Sequence, residues 1–508
     1  MTESRTVASG GPASGLARLG DLTLDRGSGQ LIRPGYRRPQ TRIGTLHFGP
    51  GAFHRAHQAF YFDRLLEKDA ARAICAVSLK TASLRDALAP QDGLYTLVEL
   101  DEAPTMRVIG AIRELLVAPE SPAAVGSRLC DPDTSVVTMT VTEKGYCLDG
   151  AGGLDFAHPD IAHDLIRPEA PRSLIGWLVR GLELRRARGL APYLVVSCDN
   201  LSDNGPTLRR AVLAFASRRD AGLAAWIERS ARFPRTMVDS ITPATDQALR
   251  ERVARATGLE DAWPVQRERF VQWVVEEVES PAQPDWASVG ITVSRDVTAY
   301  ERAKLRLLNG AHSTLAYVGL LAGLETVAQA MSQPPLRAFI EHMMIEDIEP
   351  TLAVPQPGAL TAYRQSILRR FENPAMRHLL AQIAWDGSQK LPIRILGTII
   401  DALRAGRTVG RLAVPIAAWM HFIRARARDG VEIVDPLAVQ LAALGRQVSG
   451  EPGHDLPLFF ALPGVFPAAL LQDARFIRAL SAAYEAIAAR GSLASVSAAA
   501  ASDSGAAP

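Results

Sequence analysis

The feature that most narrows the fold lies near residue 43. An apolar run, Ile43 to Phe48, is followed by Gly49-Pro50-Gly51-Ala52-Phe53-His54 and then by Ala59, Phe62, Leu65 and Leu66 at helical spacing. A strand, a glycine turn and a helix in that order let backbone N–H groups and a helix dipole meet a pyrophosphate. Gly49 and Gly51 stand at the first two glycines of that pattern, His54 stands where the third would be, and Pro50 lacks a backbone donor. A lone G-x-G is equally an ordinary turn. Read as a nucleotide site, the turn offers Phe48, Gly49, Gly51, Ala52, Phe53, His54 and Arg55 as cofactor-binding candidates.

The downstream pattern favours the nucleotide site. A second strand, Ala73 to Leu79, ends in Ser78-Leu79-Lys80-Thr81, where an NAD site would place an Asp or Glu on the ribose 2′-hydroxyl. With no carboxylate there and Lys80 in its place, NADP stays open beside NAD. Further strand-like runs, Leu94 to Leu100, Val136 to Val141 and Tyr193 to Ser197, are separated in part by helical patterns such as Pro171 to Ala187. Strands alternating with helices argue a parallel α/β sheet.

From about residue 298 the chain reads as helical, through Leu336 to Ile345, Ala359 to Phe371, Arg394 to Ala405, Ala413 to Ala427 and Ile477 to Ala489. The expected organisation is a flexible arm over 1–40 with a short ordered part near Leu22 to Leu31, an α/β domain over 41–297, a mostly α-helical domain over 298–490 and a disordered Ala/Ser-rich tail over 491–508.

Composition excludes several function classes. Lys and Arg number 56 against 54 Asp and Glu, a formal charge of +2, so no field draws the chain to nucleic acid or anionic lipid. Cys75, Cys130, Cys147 and Cys198 lack C-x-x-C spacing and read as reduced core thiols, in keeping with the cytoplasm. The N-terminal stretch has no apolar h-region, and the longest apolar run, within Ser313 to Leu324, is too short to span a bilayer. A cytoplasmic enzyme acting on small molecules, monomeric or weakly oligomeric, is expected.

The chemistry concentrates in Tyr300 to Tyr317, YERAKLRLLNGAHSTLAY. At roughly 100° per residue, Glu301, Lys304, Asn309 and His312 fall within an arc of about 140°, among Leu305, Leu308, Ala311 and Leu315. Lys304 and Glu301 alone would be an ordinary exposed ion pair. An amide and an imidazole on the same apolar face argue for a polar ligand, and a buried amine must be paired or given chemistry, which makes Lys304 a candidate general base. Two strands end in polar signatures: Thr142-Glu143-Lys144-Gly145-Tyr146, and Cys198-Asp199-Asn200 running on to Asn204-Gly205. The latter is either turn and cap chemistry or an amide, Asn200, offered to a substrate oxygen. No H-E-x-x-H or clustered Cys/His spacing occurs, so no metal site is expected.

The segments HFGPGAFHRAHQAFYFD, QDGLYTL, TVTEKGY, SCDNLSDNG, FPRTMVDSITPATD, KLRLLNGAHSTLAYVG and DGSQKLP, in that order from about residue 43 to residue 400, resemble the long-chain mannitol dehydrogenase family. That family includes mannitol 2-dehydrogenase, fructuronate reductase and tagaturonate reductase. The resemblance implies a Rossmann-type N-terminal domain, a mostly α-helical C-terminal domain, a nicotinamide cofactor and no catalytic metal. It makes Lys304 the general base, Asn200 and Asn309 the oxyanion donors, and Glu301 the proton-path residue. His312, Lys390 and Asp239 match substrate-contacting or active-site positions, and Arg394 joins Lys390 as a candidate carboxylate partner.

Two departures bear on substrate choice. Ser240 stands where the family commonly has Arg, and Arg267-Glu268-Arg269-Phe270-Val271 stands where C-E-P-F-R is common. TVTEKGYC, and DGSQKLP followed by Ile-Arg, look more like the fructuronate reductase branch. The expected activity is therefore NAD(P)-dependent interconversion of a secondary alcohol of a linear polyol or aldonate with a 2-keto sugar or keto sugar acid. Fructuronate reduction is the first choice and mannitol 2-dehydrogenation the second. A non-catalytic nucleotide-binding sensor and a Schiff-base lyase are the competing classes.

Overall fold

Five runs form the central sheet: β1 (Ile43–Phe48), β2 (Ala73–Ser78), β3 (Ile112–Val117), β4 (Val136–Met139) and β5 (Leu194–Ser197). They are hydrogen-bonded in the order β3-β2-β1-β4-β5, with every pair parallel. Successive side chains of a strand point to opposite faces, and here both faces are buried. Leu46, Phe48, Val77, Val137 and Val195 enter one core with Trp177 and Phe215, while Ile74, Ala76, Val136 and Val196 enter another with Phe62 and Leu65. Helices Leu174–Ala187 and Asn204–Arg219 cover the first face and Gln58–Leu65 the second, the layering that a parallel sheet requires.

This computed structural model describes residues 15–28, 30–101, 103–353 and 358–501. The chain divides into two compact units between Val297 and Thr298. The first is the Rossmann-type unit and the second is built from helices.

Four expectations need correction. Tyr95–Leu100 is a strand but lies outside the central sheet, pairing antiparallel with Thr105–Ile109 and parallel with Val265–Glu268. The third central strand is instead Ile112–Val117, whose Arg113 and Glu114 interrupt its apolar pattern because it lies at the sheet edge. The chain before residue 41 is anchored at several of its described residues, while others, Leu22 among them, stay exposed. Ala17–Arg18 pairs with Leu259–Glu260, Leu19 and Leu31 join a small core with Leu94 and Val108, and the buried Arg38 guanidinium donates to the carbonyls of Asp92, Gly110 and Ile112. The parts of the expected arm at residues 1–14 and at residue 29 lie outside the described residues.

The helical unit is centred on Gly310–Leu321 and Gly410–Arg428, both buried along much of their length. The Ala/Ser-rich tail is helical over Ser492–Ala501, since alanine is the best helix former. Val496 is fully buried, and Ser492 Oγ donates to the Val318 carbonyl at 2.9 Å. Residues 502–508 of that tail lie outside the described residues. Tyr300 to Tyr317 is not one continuous α-helix. An α-helix ending at Ala303 passes into a π-helix, Lys304–Asn309, and then into the α-helix from Gly310. Two further π-helical segments, Met343–Ile348 and Pro392–Leu396, pack against this one.

Candidate active site

In a sheet of order 3-2-1-4-5 the crevice for a ligand opens where the order reverses, at the carboxyl ends of β1 and β4. A cavity of about 800 Å³ lies there, lined by the residues after β1 (Gly49 to Ala52), after β2 (Ser78 to Thr81) and after β4 (Thr140 to Thr142). That size suits a cofactor site. Gly49 has φ +79°, and a Cβ there would lie 2.3 Å from the Thr140 carbonyl oxygen, so only glycine lets the two strand ends come this close. The Gly49 carbonyl accepts from Gly51 N at 2.7 Å and from Thr140 Oγ1 at 2.7 Å, which closes a tight turn over Pro50. The chain then enters the helix Ala52–Ala56, whose first N–H groups have no intrahelical partner. These residues fit a dinucleotide pyrophosphate.

Of the cofactor candidates, Gly49, Gly51, Ala52 and Arg55 line the cavity. Phe48 is wholly buried in the core, Phe53 stacks on His57, and His54 is wholly buried and stacked on His47 at 3.3 Å between ring centroids. None of these three lines the cavity, and the His54 ring is packed against His47. His47 Nδ1 hydrogen-bonds Thr138 Oγ1 at 2.7 Å and His47 Nε2 lies 3.0 Å from Thr140 Oγ1. Because the Thr140 hydroxyl is spent on Gly49, His47 donates from Nε2 and is neutral. Burial holds its pKa at about 3. Arg55 donates to the Trp263 carbonyl, and its guanidinium stands over the Tyr95 and Trp263 rings. Burial lowers its pKa to about 10.

At the ribose end the cavity wall carries Ser78, Lys80 and Thr81; the carboxylate among its described lining residues is Asp160, from another element. After β4, Thr142 has φ +65° and ψ 166°, a conformation a β-branched residue rarely adopts. The buried Asp199 accepts from Val141 N at 3.0 Å, Thr142 N at 2.8 Å and the Tyr146 hydroxyl at 2.8 Å. Burial pushes the Asp199 pKa up against these donors. Asn200, the next residue, is exposed at the end of β5. Asn204 is a cross-brace, not a ligand: its side chain bonds the Thr236 backbone on both sides. Asp239 is buried at the end of the strand Thr236–Asp239.

The two departures near residues 240 and 267 have local explanations. Ser240 Oγ donates to the Phe270 carbonyl at 2.9 Å. Arg267 is buried, paired with Glu99 and placed over the Phe60 ring, while Arg269 is exposed and paired with Asp101. Arg267 is thus committed within its own unit.

In the helical unit, Lys304 and Asn309 begin and end the π-helix, both half-buried, with Glu301 on the preceding turn. His312 is buried against the Phe371 and His378 rings, at 4.5 and 4.9 Å between centroids. Its Nε2 and the Nδ1 of His378 have no hydrogen-bond partner among the described residues. Burial, then the neighbouring His378, Arg370 and Arg394, hold the His312 pKa well below its usual value, so the ring is neutral. Arg394 donates to Ser313 Oγ at 3.1 Å, and burial lowers its pKa to about 10. Burial, then Arg394, also lowers the Lys390 pKa. Neither Lys390 nor Arg394 forms an ion pair with a carboxylate of the described residues. Asp386 and Asp435 are the carboxylates that act on Lys390, and Asp435 accepts from the Ser388 amide and hydroxyl.

This unit therefore brings His312 and Arg394 together with Arg370, Phe371 and His378, sets Lys390 beside Arg394, and carries Lys304 and Asn309 on the π-helix just before His312. Sequence reasoning missed Arg370, Phe371 and His378, which lie about 60 residues from His312 in the chain and carry no motif. Among the described residues no group of three or more His, Cys, Asp or Glu side chains is placed to hold a metal ion. No helix among them is long and apolar enough to cross a membrane.

A doubly wound parallel sheet with a glycine turn at its switch point defines a dinucleotide-binding protein of the Rossmann type. The family model for the mannitol dehydrogenase Rossmann domain matches residues 43–288, and that for the mannitol dehydrogenase C-terminal domain matches residues 296–488. The chain belongs to the mannitol dehydrogenase family and is an oxidoreductase of that family. It is 40% identical to a D-mannonate oxidoreductase of Escherichia coli K12 over 471 residues, 91% of this chain and 96% of the relative. It is 38% identical to a mannitol 2-dehydrogenase of Aspergillus fumigatus over 475 residues, 91% and 94% of the two chains. A solved ternary complex of Pseudomonas fluorescens mannitol 2-dehydrogenase with NAD and D-mannitol superposes with TM-score 0.80 at 37% identity, covering 94% of this chain and 98% of that one.

Proposed function

We propose that the chain interconverts D-mannonate and D-fructuronate with NAD. The observation that carries this reading is the half-buried pair Lys390 and Arg394, two cations with no ion pair to a carboxylate of the described residues, beside a His312 whose Nε2 has no partner among them. D-Fructose and D-fructuronate differ only at the chain end far from the ketone, a hydroxymethyl in one and a carboxylate in the other. Two cations held in a poorly hydrated setting favour the carboxylate, because a charge-assisted bidentate contact is roughly twice as strong as a neutral one. The Escherichia coli relative's name agrees with this choice.

When bound, the nicotinamide supplies the hydride acceptor. Lys304 takes the alcohol proton in oxidation and returns it in reduction, and Asn309 donates its amide to the developing oxyanion. His312, neutral and with Nε2 free of partners among the described residues, hydrogen-bonds a substrate hydroxyl. The roles of Asn200, Asp239 and Glu301 rest on the family resemblance. Ser78, Lys80 and Thr81 at the ribose end allow NADP as a second cofactor. The protein works in the cytoplasm without a metal, as a monomer or weak oligomer.

Mannitol 2-dehydrogenation is the second reading, supported by the Aspergillus and Pseudomonas relatives. The test is NADH oxidation with D-fructuronate, D-tagaturonate and D-fructose at near-neutral pH. The expected result is a kcat/KM for D-fructuronate at least about tenfold above D-fructose. A preference for D-fructose moves the chain to the polyol dehydrogenases. No turnover with any of the three, with NADH bound, favours a nucleotide sensor, and borohydride trapping of a substrate on Lys304 favours a Schiff-base lyase.

A further inference from the structure

Thr142 is the most strained residue lining the cofactor cavity. Its φ of +65° with ψ of 166° falls where glycine is almost alone, and such strain persists only where the surroundings over-determine it. Asp199 does so. Its carboxylate grips the chain on both sides of Thr142, at the amide of Thr142 itself and, four residues on, at the Tyr146 hydroxyl, and it also holds the amide of Val141. A residue caught between two anchors on one carboxylate has to take up the turn.

The consequence lies in the peptide between Val141 and Thr142. In a planar trans peptide the N–H and C=O point in opposite directions. The Thr142 N–H is directed at Asp199, which does not line the cavity, so the Val141 carbonyl is directed away from Asp199. Val141 and Thr142 both line the cavity. Val141 N also goes to Asp199, and the Thr140 carbonyl opposite it abuts Gly49, at the cavity wall.

We propose that Asp199 is a positioning residue for the cofactor. By holding Thr142 at its left-handed φ, it presents the Val141 carbonyl oxygen to the cavity as an acceptor for a hydroxyl or amide N–H of the bound dinucleotide. This rests on the reading of the cavity as the cofactor site.

The test is a double-mutant cycle on NADH binding, followed by fluorescence titration without substrate, with thermal unfolding recorded alongside. Asp199→Asn keeps the size of the side chain but turns one acceptor into a donor. It is expected to raise the NADH Kd about tenfold. Glycine adopts the required φ without strain, so in the Thr142→Gly background the same change is expected to raise Kd by no more than about threefold. Tyr146→Phe repeats the cycle in milder form if the Asp199→Asn chain does not fold. It should raise Kd about threefold in the otherwise native chain and leave it unchanged beside Thr142→Gly. Equal losses in the two backgrounds, or no loss in either, overturn the proposal. A wild-type protein that binds neither NADH nor NADPH overturns the cofactor reading itself, a separate outcome.

Discussion

Lys304 and Asn309 stand one π-turn apart, at the two ends of a helical segment in which Gly310 N bonds back five residues to the Leu305 carbonyl. The spacing matters because a five-residue offset on an α-helix separates two side chains by about 140°, whereas the wider turn of a π-helix narrows that to roughly 50°. The wide-turn segment thus turns an amine and an amide toward the same side of the helix. Such segments recur at functional sites, and two others pack against this one.

If Lys304 is the base, Lys304→Ala lowers kcat by about a hundredfold or more, the usual contribution of a general base. NADH binding, followed by fluorescence, should stay within about twofold, since Lys304 belongs to the helical unit and the cofactor cavity is lined by the Rossmann-type unit. A variant keeping more than about a tenth of the wild-type rate removes Lys304 from the chemistry.

If the cations of the helical unit select a uronate over a ketose, Arg394 is the residue that tests it. Arg394→Met keeps much of the packed aliphatic stem and removes the guanidinium. It is expected to lower kcat/KM for D-fructuronate by about tenfold to a hundredfold, the equivalent of losing a hydrogen bond to a charged group. The loss with D-fructose should be under about threefold if the cation meets only the carboxylate. Equal losses on both substrates would instead give Arg394 a purely architectural role through Ser313.

These residues differ in how far the chain announces them. The turn at Gly49 was legible because an apolar strand, two glycines and a helical pattern follow one another within a few residues. Tyr95–Leu100 was legible as a strand but not as a member of a second sheet, since local alternation does not say which partner a strand will pair with. His54 looked like a phosphate contact by position, and only the packing shows it against His47. In the helical unit a wheel at 100° per residue grouped Lys304, Asn309 and His312, yet a π-helix leaves no mark in apolar periodicity. The imidazole of His378 and the guanidinium of Arg370 reach His312 through the fold alone.

Lys80 offers a check on cofactor choice. It lines the ribose end of the cavity with Ser78 and Thr81, so Lys80→Ala is expected to raise the KM for NADPH about tenfold while changing that for NADH by less than about twofold. Parallel steady-state titrations of the two cofactors decide it. A chain whose NADPH and NADH constants move together has its Lys80 facing solvent.

Asp63 sets a stability profile independent of substrate. Its Oδ1 accepts from the Tyr36 hydroxyl and from Gly110 N at 2.8 Å, while its wholly buried Oδ2 has no partner among the described residues. Burial raises its pKa from 3.8 to about 6 in the folded chain. A raised folded pKa means the folded state holds the proton more tightly than the unfolded one. The contribution is therefore fully present below about pH 4 and is lost as pH rises through about 6, amounting to on the order of 3 kcal/mol. Asp63→Asn keeps the Oδ1 acceptor and cannot ionise. The variant should match the wild type near pH 4 and exceed it progressively from pH 4 to 7, measured as the urea midpoint of the transition at each pH. A difference between the two proteins that does not change with pH would show that Asp63 keeps an ordinary carboxylate pKa in the folded chain.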